Sequence, residues 1–335
     1  MVDENGKIVA RSIVRVDTTS ANAPILQIRR LAEHLAGEAD PRRTFLAAAI
    51  AVPGLVRRTG TVWAPNLPGW ERMPLASRLR RFLGIPVIVE SDRNAAVLGE
   101  HWQGAARGKS DVIVVVVGTG IGAGILSGGR LVRGAHELSG CAGWMVVSDQ
   151  RGHHTRRLGQ LEALTAGPAI ARAAKKALSL GKDSLLRQLD FAKITASDVA
   201  AAARRGDTMS VRLFREVGQV LGRAVANLIS LFDPQIVVIG GGLANASDLF
   251  IESLSKAMSQ YAQPLALKQL RVRVTQLGGQ ANLLGCACLA WGAAGGRHSP
   301  PRLGSLESSL NRAATSTASR TPSPKTLGIP KHFHI

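Results

Sequence analysis

Residues 111–117 read DVIVVVV and run without a break into GTGIGAG. A strand with one wet face alternates apolar and polar residues. An unbroken β-branched run is instead the mark of a strand covered on both faces, as in a sheet with helices packed on either side. A second run of this kind, IVVI at residues 236–239, enters Gly240-Gly241-Gly242. Two such strands, each ending in glycines, point to an α/β protein with a buried, at least partly parallel sheet.

The rest of the chain fits that class. At 335 residues it exceeds one ordinary core and suits two domains plus a tail. The alternating runs around Asn5-Gly6 predict a hairpin turn, because both residues tolerate the positive φ it requires. Apolar spacing predicts a helix over 25–36, and FLAAAIAVPGLV (45–56) a buried strand broken at Pro53-Gly54. Strands are expected at 86–90, 111–117, 125–131, 236–239 and 270–275. Helices are expected at 94–103, 166–180, 196–205 (with Ser197 as N-cap), 211–232 and 281–294. From 296 to 335 the composition turns to Ser, Thr, Pro, Arg and His with no apolar period, which predicts a disordered tail.

Composition narrows the partners. Lys plus Arg number 42 against 23 Asp plus Glu, a formal charge of +19. The basic residues are scattered, aromatics are not interleaved with them, and no zinc-finger, RNP or complete helix-turn-helix pattern occurs. An arginine-rich protein explains the charge better than a nucleic-acid partner does. Three cysteines, Cys141, Cys286 and Cys288, build no disulfide framework and point to a reducing cytoplasm. The most apolar stretch, 112–126, is too short and too rich in glycine to span a bilayer, so no membrane partner is expected.

Three segments can carry chemistry. In Gly118–Gly124 the glycines let backbone N–H groups approach an anion, and Thr119 adds a hydroxyl. A purely structural hairpin explains the run equally well, and the segment has neither the GK[ST] of a P-loop nor the following helix of a dinucleotide-binding turn. Gly240, Gly241 and Gly242 end a strand and can form a flat surface for a base or ribose, or simply a tight turn. Asp92 follows a buried strand at the start of a helix, where a carboxylate can take a proton from an attacking hydroxyl, or merely cap the helix. Two glycine turns in the two halves of one chain fit a nucleotide held in a cleft.

In order along the chain stand GTVWAPNLPGW, PVIVESDRNAAVLGE, VVVVGTGIGAGIL, RGAHELSGCAGWM, GQLEALTAGPAIA and LFDPQIVVIGGGL. This series resembles the ROK family of bacterial sugar kinases and sugar-responsive repressors. The resemblance implies a two-domain actin/hexokinase-like (ribonuclease H-like) α/β fold with an interdomain cleft, its domains at 1–133 and 134–295. It implies ATP-dependent phosphoryl transfer, with Mg²⁺, to a hydroxyl of a hexose or N-acyl hexosamine, in a cytoplasmic homo-oligomer. Asp92 falls at the catalytic base. Gly118, Thr119, Gly120 and Gly122 fall on a phosphate loop, and Gly240, Gly241 and Gly242 on the adenosine-binding turn. Gly54, Asn66, Asp92 and Glu162 fall on sugar-contacting positions, and so does Ser91, which stands where the family usually has Asn.

The chain departs from that pattern in three places. The family's AGExGH reads here Gly140-Cys141-Ala142-Gly143-Trp144, so a thiol stands for a carboxylate and Trp144 for a histidine. A thiol is a poor acceptor for sugar hydroxyls. The cysteine run that completes the family's zinc site corresponds to residues 153–160, HHTRRLGQ, with no cysteine, so no structural zinc is expected. No DxGGT phosphate loop precedes VDENGKIVAR. Its absence would leave a strand edge uncovered and depress turnover in the chain as it stands. These departures keep two other readings open: a non-catalytic sugar-binding effector domain of a regulator, and a degraded, inactive homologue.

Overall fold

In a computed structural model, which describes residues 1–38, 45–149 and 152–295, the valine run lies at the centre of the larger sheet. Strands β5 (Val112–Val117), β6 (Ile121–Ser127), β7 (Arg130–Leu131), β8 (Ile236–Gly240) and β9 (Arg271–Val274) are ordered β7-β6-β5-β8-β9. β5, β8 and β9 run parallel, while β6 is antiparallel to β5 and β7 to β6. Five of the six β5 residues are buried. Ile113, Val115 and Val117 face one core, built with helices α5 (Gln160–Thr165), α6 (Gly167–Ser179), α7 (Ala196–Arg204), α8 (Thr208–Phe232) and α9 (Ile251–Tyr261). Val112 and Val114 are equally buried on the other face, against which α3 (Asp92–Gln103) packs. The sheet therefore pairs residues on both sides of position 133.

A second core gathers Ile25, Val52, Val56, Val62, Trp70, Leu75, Leu79, Val87 and Val89. It joins α1 (Ala23–Glu38) and α2 (Leu75–Leu83) to β1 (Ala48–Val52), β2 (Leu55–Val56), β3 (Val62–Trp63) and β4 (Val87–Ser91). β1 and β4 pair in parallel from Ala48↔Val87 to Val52↔Ser91. Between the two cores α3 crosses α11 (Ala281–Ala293) at van der Waals contact of the backbones. A Cβ on Gly99 would lie 2.0 Å from the Ala281 carbonyl oxygen, and one on Gly285 1.8 Å from that of Ala95. Only glycine allows that approach. The described residues all belong to one compact unit, completed by α4 (His153–Leu158) and α10 (Pro264–Gln269). Among them no helix is long and apolar enough to cross a membrane.

Several expectations shift by a few residues, each for a physical reason. The strand expected at 125–131 begins at Ile121, because Gly122 and Gly124 pair across the ladder with Val116 and Val114. It is then cut at Gly128-Gly129, both at positive φ. The cap of α7 is Thr195, not Ser197: Thr195 and Asp198 satisfy each other's backbone N–H in a capping box. Asp207 caps α8, which starts three residues earlier than its apolar stripe suggests. After Gly241 a 3₁₀ segment, Gly242–Leu249, precedes α9. The Asn5-Gly6 turn forms, with Gly6 at φ 83°, but the alternating run after it makes one isolated bridge, Val2↔Ile8, and no strand. The tail expected at 296–335 lies outside the described residues.

Candidate active site

β4 ends at Ser91, whose extended backbone turns directly into α3 with Asp92 as its first residue. Asp92 Oδ1 accepts the Arg93 backbone N–H at 2.8 Å. Burial pushes the Asp92 carboxyl above its ordinary value, against the opposing pull of that hydrogen bond and of the Arg93 charge. A carboxylate short of solvation is a better base than a surface aspartate. Beside it the Ser91 hydroxyl is buried and makes no hydrogen bond, not even the capping bond its position invites.

Glu90, one residue earlier, is wholly buried. Its Oε1 accepts the Ser91 N–H at 2.8 Å and the Asn94 side-chain amide at 2.9 Å, and its Oε2 is ion-paired with Arg133. Asn94 Oδ1 and Arg133 Nε are also buried without partners. Three unsatisfied polar atoms around one carboxylate, next to Asp92, mark a polar recess that a hydroxyl-bearing molecule or water can complete.

The two glycine turns meet at the carboxyl ends of β5 and β8, which pair in register as Val116↔Gly240. Gly241 has φ +82°, and a Cβ there would stand 2.4 Å from the Val117 carbonyl oxygen. A Cβ on Gly118 would lie 3.9 Å from the Gly242 nitrogen, whereas one on Gly242 would meet open space. Gly118 is also tied to α6 by the Gly167 N–H, 2.8 Å from its carbonyl. This is the place where open α/β sheets take ligands, and the bare backbone fits the phosphates and ribose of a nucleotide. Among the described residues no group of three or more His, Cys, Asp or Glu could hold a metal ion. His153 and His154 stack edge to face, 5.6 Å between centroids, in α4.

Glu162, in the first turn of α5, reaches the first of these turns: its Oε2 accepts the Ile121 N–H at 2.9 Å. Burial raises its pKa, while that hydrogen bond opposes the rise. The same oxygen lies 3.0 Å from the place a Cβ on Gly143 would take, in the segment that carries Cys141 and Trp144. Cys141 is half-buried and Trp144 is 58% exposed.

Arg93, which sequence reasoning passed over, links the two halves. Its guanidinium donates to the carbonyls of Ser139 (2.9 Å), Glu137 (3.0 Å) and Gly54 (3.4 Å), and a Cβ on Gly122 would touch its Cβ at 3.2 Å. Asp92, Ser91, Gly54, the Gly118–Gly122 turn and Glu162 thus form one connected constellation, with Gly240–Gly242 abutting it through Gly118. Thr119 is exposed at the tip of its turn. Asn66 stands exposed on the turn after β3 and joins none of these bonds. A signal for Arg93 was present: a cation in the first turn of a helix opposes the helix dipole and needs a reason.

The sequence profile of the ROK family matches residues 1–293. A glucokinase of Halalkalibacterium halodurans is 31% identical over 261 residues, 76% of this chain and 79% of its own. A xylose repressor of Caldicellulosiruptor bescii is 32% identical over 249 residues, 73% of this chain and 62% of its own. Among solved structures, a ROK family glucokinase from Streptomyces griseus in complex with glucose and AMPPNP superposes with a TM-score of 0.72 at 30% identity, covering 86% of this chain and 94% of that one. The α/β fold is that of the ROK glucokinase structures, which is actin/hexokinase-like.

Proposed function

The chain belongs to the ROK family, and from that membership we propose that it transfers a phosphoryl group from ATP to a hydroxyl of a hexose or N-acyl hexosamine. The observation that carries the reading is Asp92: a desolvated carboxylate beside an unpartnered Ser91 hydroxyl, in the same constellation as two abutting glycine turns. Bound ATP would supply the phosphoryl group, with Mg²⁺ on its phosphates. Asp92 takes the proton of the attacking sugar hydroxyl. Gly54, Asn66, Ser91 and Glu162 offer partners for the other hydroxyls. Gly118, Thr119, Gly120 and Gly122 face the phosphates, and Gly240, Gly241 and Gly242 the adenosine. The glucokinase relatives, and the complex of a Streptomyces griseus glucokinase with glucose and AMPPNP, support ATP and a hexose as substrates. A cytoplasmic homo-oligomer goes with this reading.

A second reading, a sugar-binding regulator without catalysis, is favoured by one observation. The Glu162 carboxylate occupies the Ile121 N–H of the very turn that would face phosphate. The xylose repressor relative supports it too. Incubating the full-length gene product with ATP, Mg²⁺ and a panel of hexoses and N-acyl hexosamines separates the two. Sugar-dependent ADP release supports the kinase. A sugar that raises the melting temperature without ADP release supports the regulator, and overturns the kinase reading.

A further inference from the structure

Arg93 pays two costs where it stands: it is a cation in the first turn of a helix, and it is 8% exposed. Among the described residues its guanidinium is held by backbone carbonyls rather than by carboxylates, one from the loop after β1 (Gly54) and two from the loop after β7 (Glu137 and Ser139). The stem threads between two glycines. Its Cβ would touch a Cβ on Gly122 at 3.2 Å, and its Cδ one on Gly140 at 3.4 Å.

The loop it grips is under strain. Glu137 sits at φ +61°, a conformation rarely held by a side-chain-bearing residue unless its surroundings over-determine it. Its carboxylate is held by Arg58 at 2.8 Å and by Arg133 at 3.6 Å, and Arg133 is in turn paired with Glu90. Arg93 adds the bond to the Glu137 carbonyl itself. Downstream, the Gly140 carbonyl accepts the Ala123 N–H at 2.7 Å, and the chain then passes through Cys141 to Gly143, against Glu162.

We propose that Arg93 is a positioning residue: its three-carbonyl fork fixes the 133–140 loop, and through it the Cys141–Gly143 segment and Glu162, relative to Asp92. The sugar side of the site depends on this fork, whereas the Gly240–Gly242 turn, which Arg93 does not touch, is independent of it. Lysine cannot replace it. A single ammonium does not present the planar set of donors that reaches carbonyls on two loops at once.

Arg93→Met keeps the stem between Gly122 and Gly140 and removes the fork, and Arg93→Lys keeps the charge. Hydrogen–deuterium exchange on the full-length chain should run about ten-fold or more faster in 133–141 in both variants, with β5 and β8 unchanged. The kinetic arm rests on the phosphoryl-transfer reading. There the sugar KM should rise about ten-fold and kcat fall, while the KM for ATP stays within about two-fold. Unchanged exchange in the loop of Arg93→Met, wild-type behaviour of Arg93→Lys, an equal rise in both KM values, or failure of both variants to fold cooperatively would each overturn the proposal. If the wild type phosphorylates no sugar, the kinase reading falls, and the exchange measurement still decides the role of Arg93.

Discussion

Glu162 Oε2 accepts the backbone N–H of Ile121 at 2.9 Å, so a carboxylate sits on the glycine turn proposed to face phosphate. Burial raises the pKa of this carboxyl, so the folded chain holds its proton to higher pH than the unfolded one. Stability from this group therefore declines as pH rises from the ordinary glutamate value through the raised one. Glu162→Gln keeps an oxygen for the Ile121 N–H and removes the charge. Its melting temperature at neutral pH should equal or exceed that of the wild type. The KM for ATP should fall about three- to ten-fold as a like-charge contact is lost, while the KM for the sugar rises. A KM for ATP that rises instead would mean that Glu162 does not oppose phosphate.

Asp92→Asn should cut turnover about 10²-fold or more, because the transition state loses its proton acceptor, while the amide still hydrogen-bonds the sugar. The acid limb of the wild-type rate profile should lie above the ordinary aspartate value, since burial raises this carboxyl and the base works only when ionised. The same rise makes the ionised folded state less stable as pH climbs through that window. Asp92→Asn should therefore melt higher than the wild type at neutral pH. Turnover that survives the change would remove Asp92 from the chemistry.

How much of this was legible in the sequence depends on which atoms do the work. β5 could be read because burial on both faces demands branched apolar side chains, and Val112–Val117 supply them. The glycine turns could be read as turns, but not where they end. Gly122 and Gly124 pair within β6, and α3 packs so close that a Cβ on Gly124 would lie 2.2 Å from the Arg93 carbonyl oxygen. Asp92 was legible only through its motif, since one aspartate after a strand caps helices as readily as it abstracts protons. Arg93 left one trace, a cation in the first turn of a helix, but its partners could not be read because they are carbonyls, which every residue carries. The Glu162–Ile121 bond joins residues 41 apart through a main-chain N–H, and is silent for the same reason.

Gly241 and Gly242 should separate folding from nucleotide binding. At Gly241, with φ +82° and Val117 oxygen 2.4 Å from any Cβ, alanine should cost about 2–4 kcal/mol of stability by strain and overpacking. At Gly242 a Cβ meets open space, so alanine should leave the melting temperature nearly unchanged while it intrudes on the surface proposed for the nucleotide. Denaturant melts paired with titration of a fluorescent ATP analogue read both quantities. Undiminished nucleotide affinity in Gly242→Ala would remove this turn from the nucleotide site.

The cysteines offer a probe that needs no turnover. Cys286 and Cys288 lie buried in α11, where burial pushes both thiols up to about 12, and the nearby Glu90 charge adds to the rise at Cys286. The thiolate is the reactive species, so neither should react with a disulfide reagent at neutral pH until the chain unfolds. Cys141 is partly exposed, in the segment whose Gly143 lies against Glu162, and should label in the native state. If Glu162 and this segment contact the sugar, a bound hexose should slow Cys141 labelling in proportion to its occupancy and leave the total thiol count under denaturation unchanged. A mass spectrum of the native, labelled protein should show one adduct, on Cys141. Equal labelling of Cys286 would show that α11 opens against α3 far more often than the glycine-to-backbone packing at Gly99 and Gly285 permits.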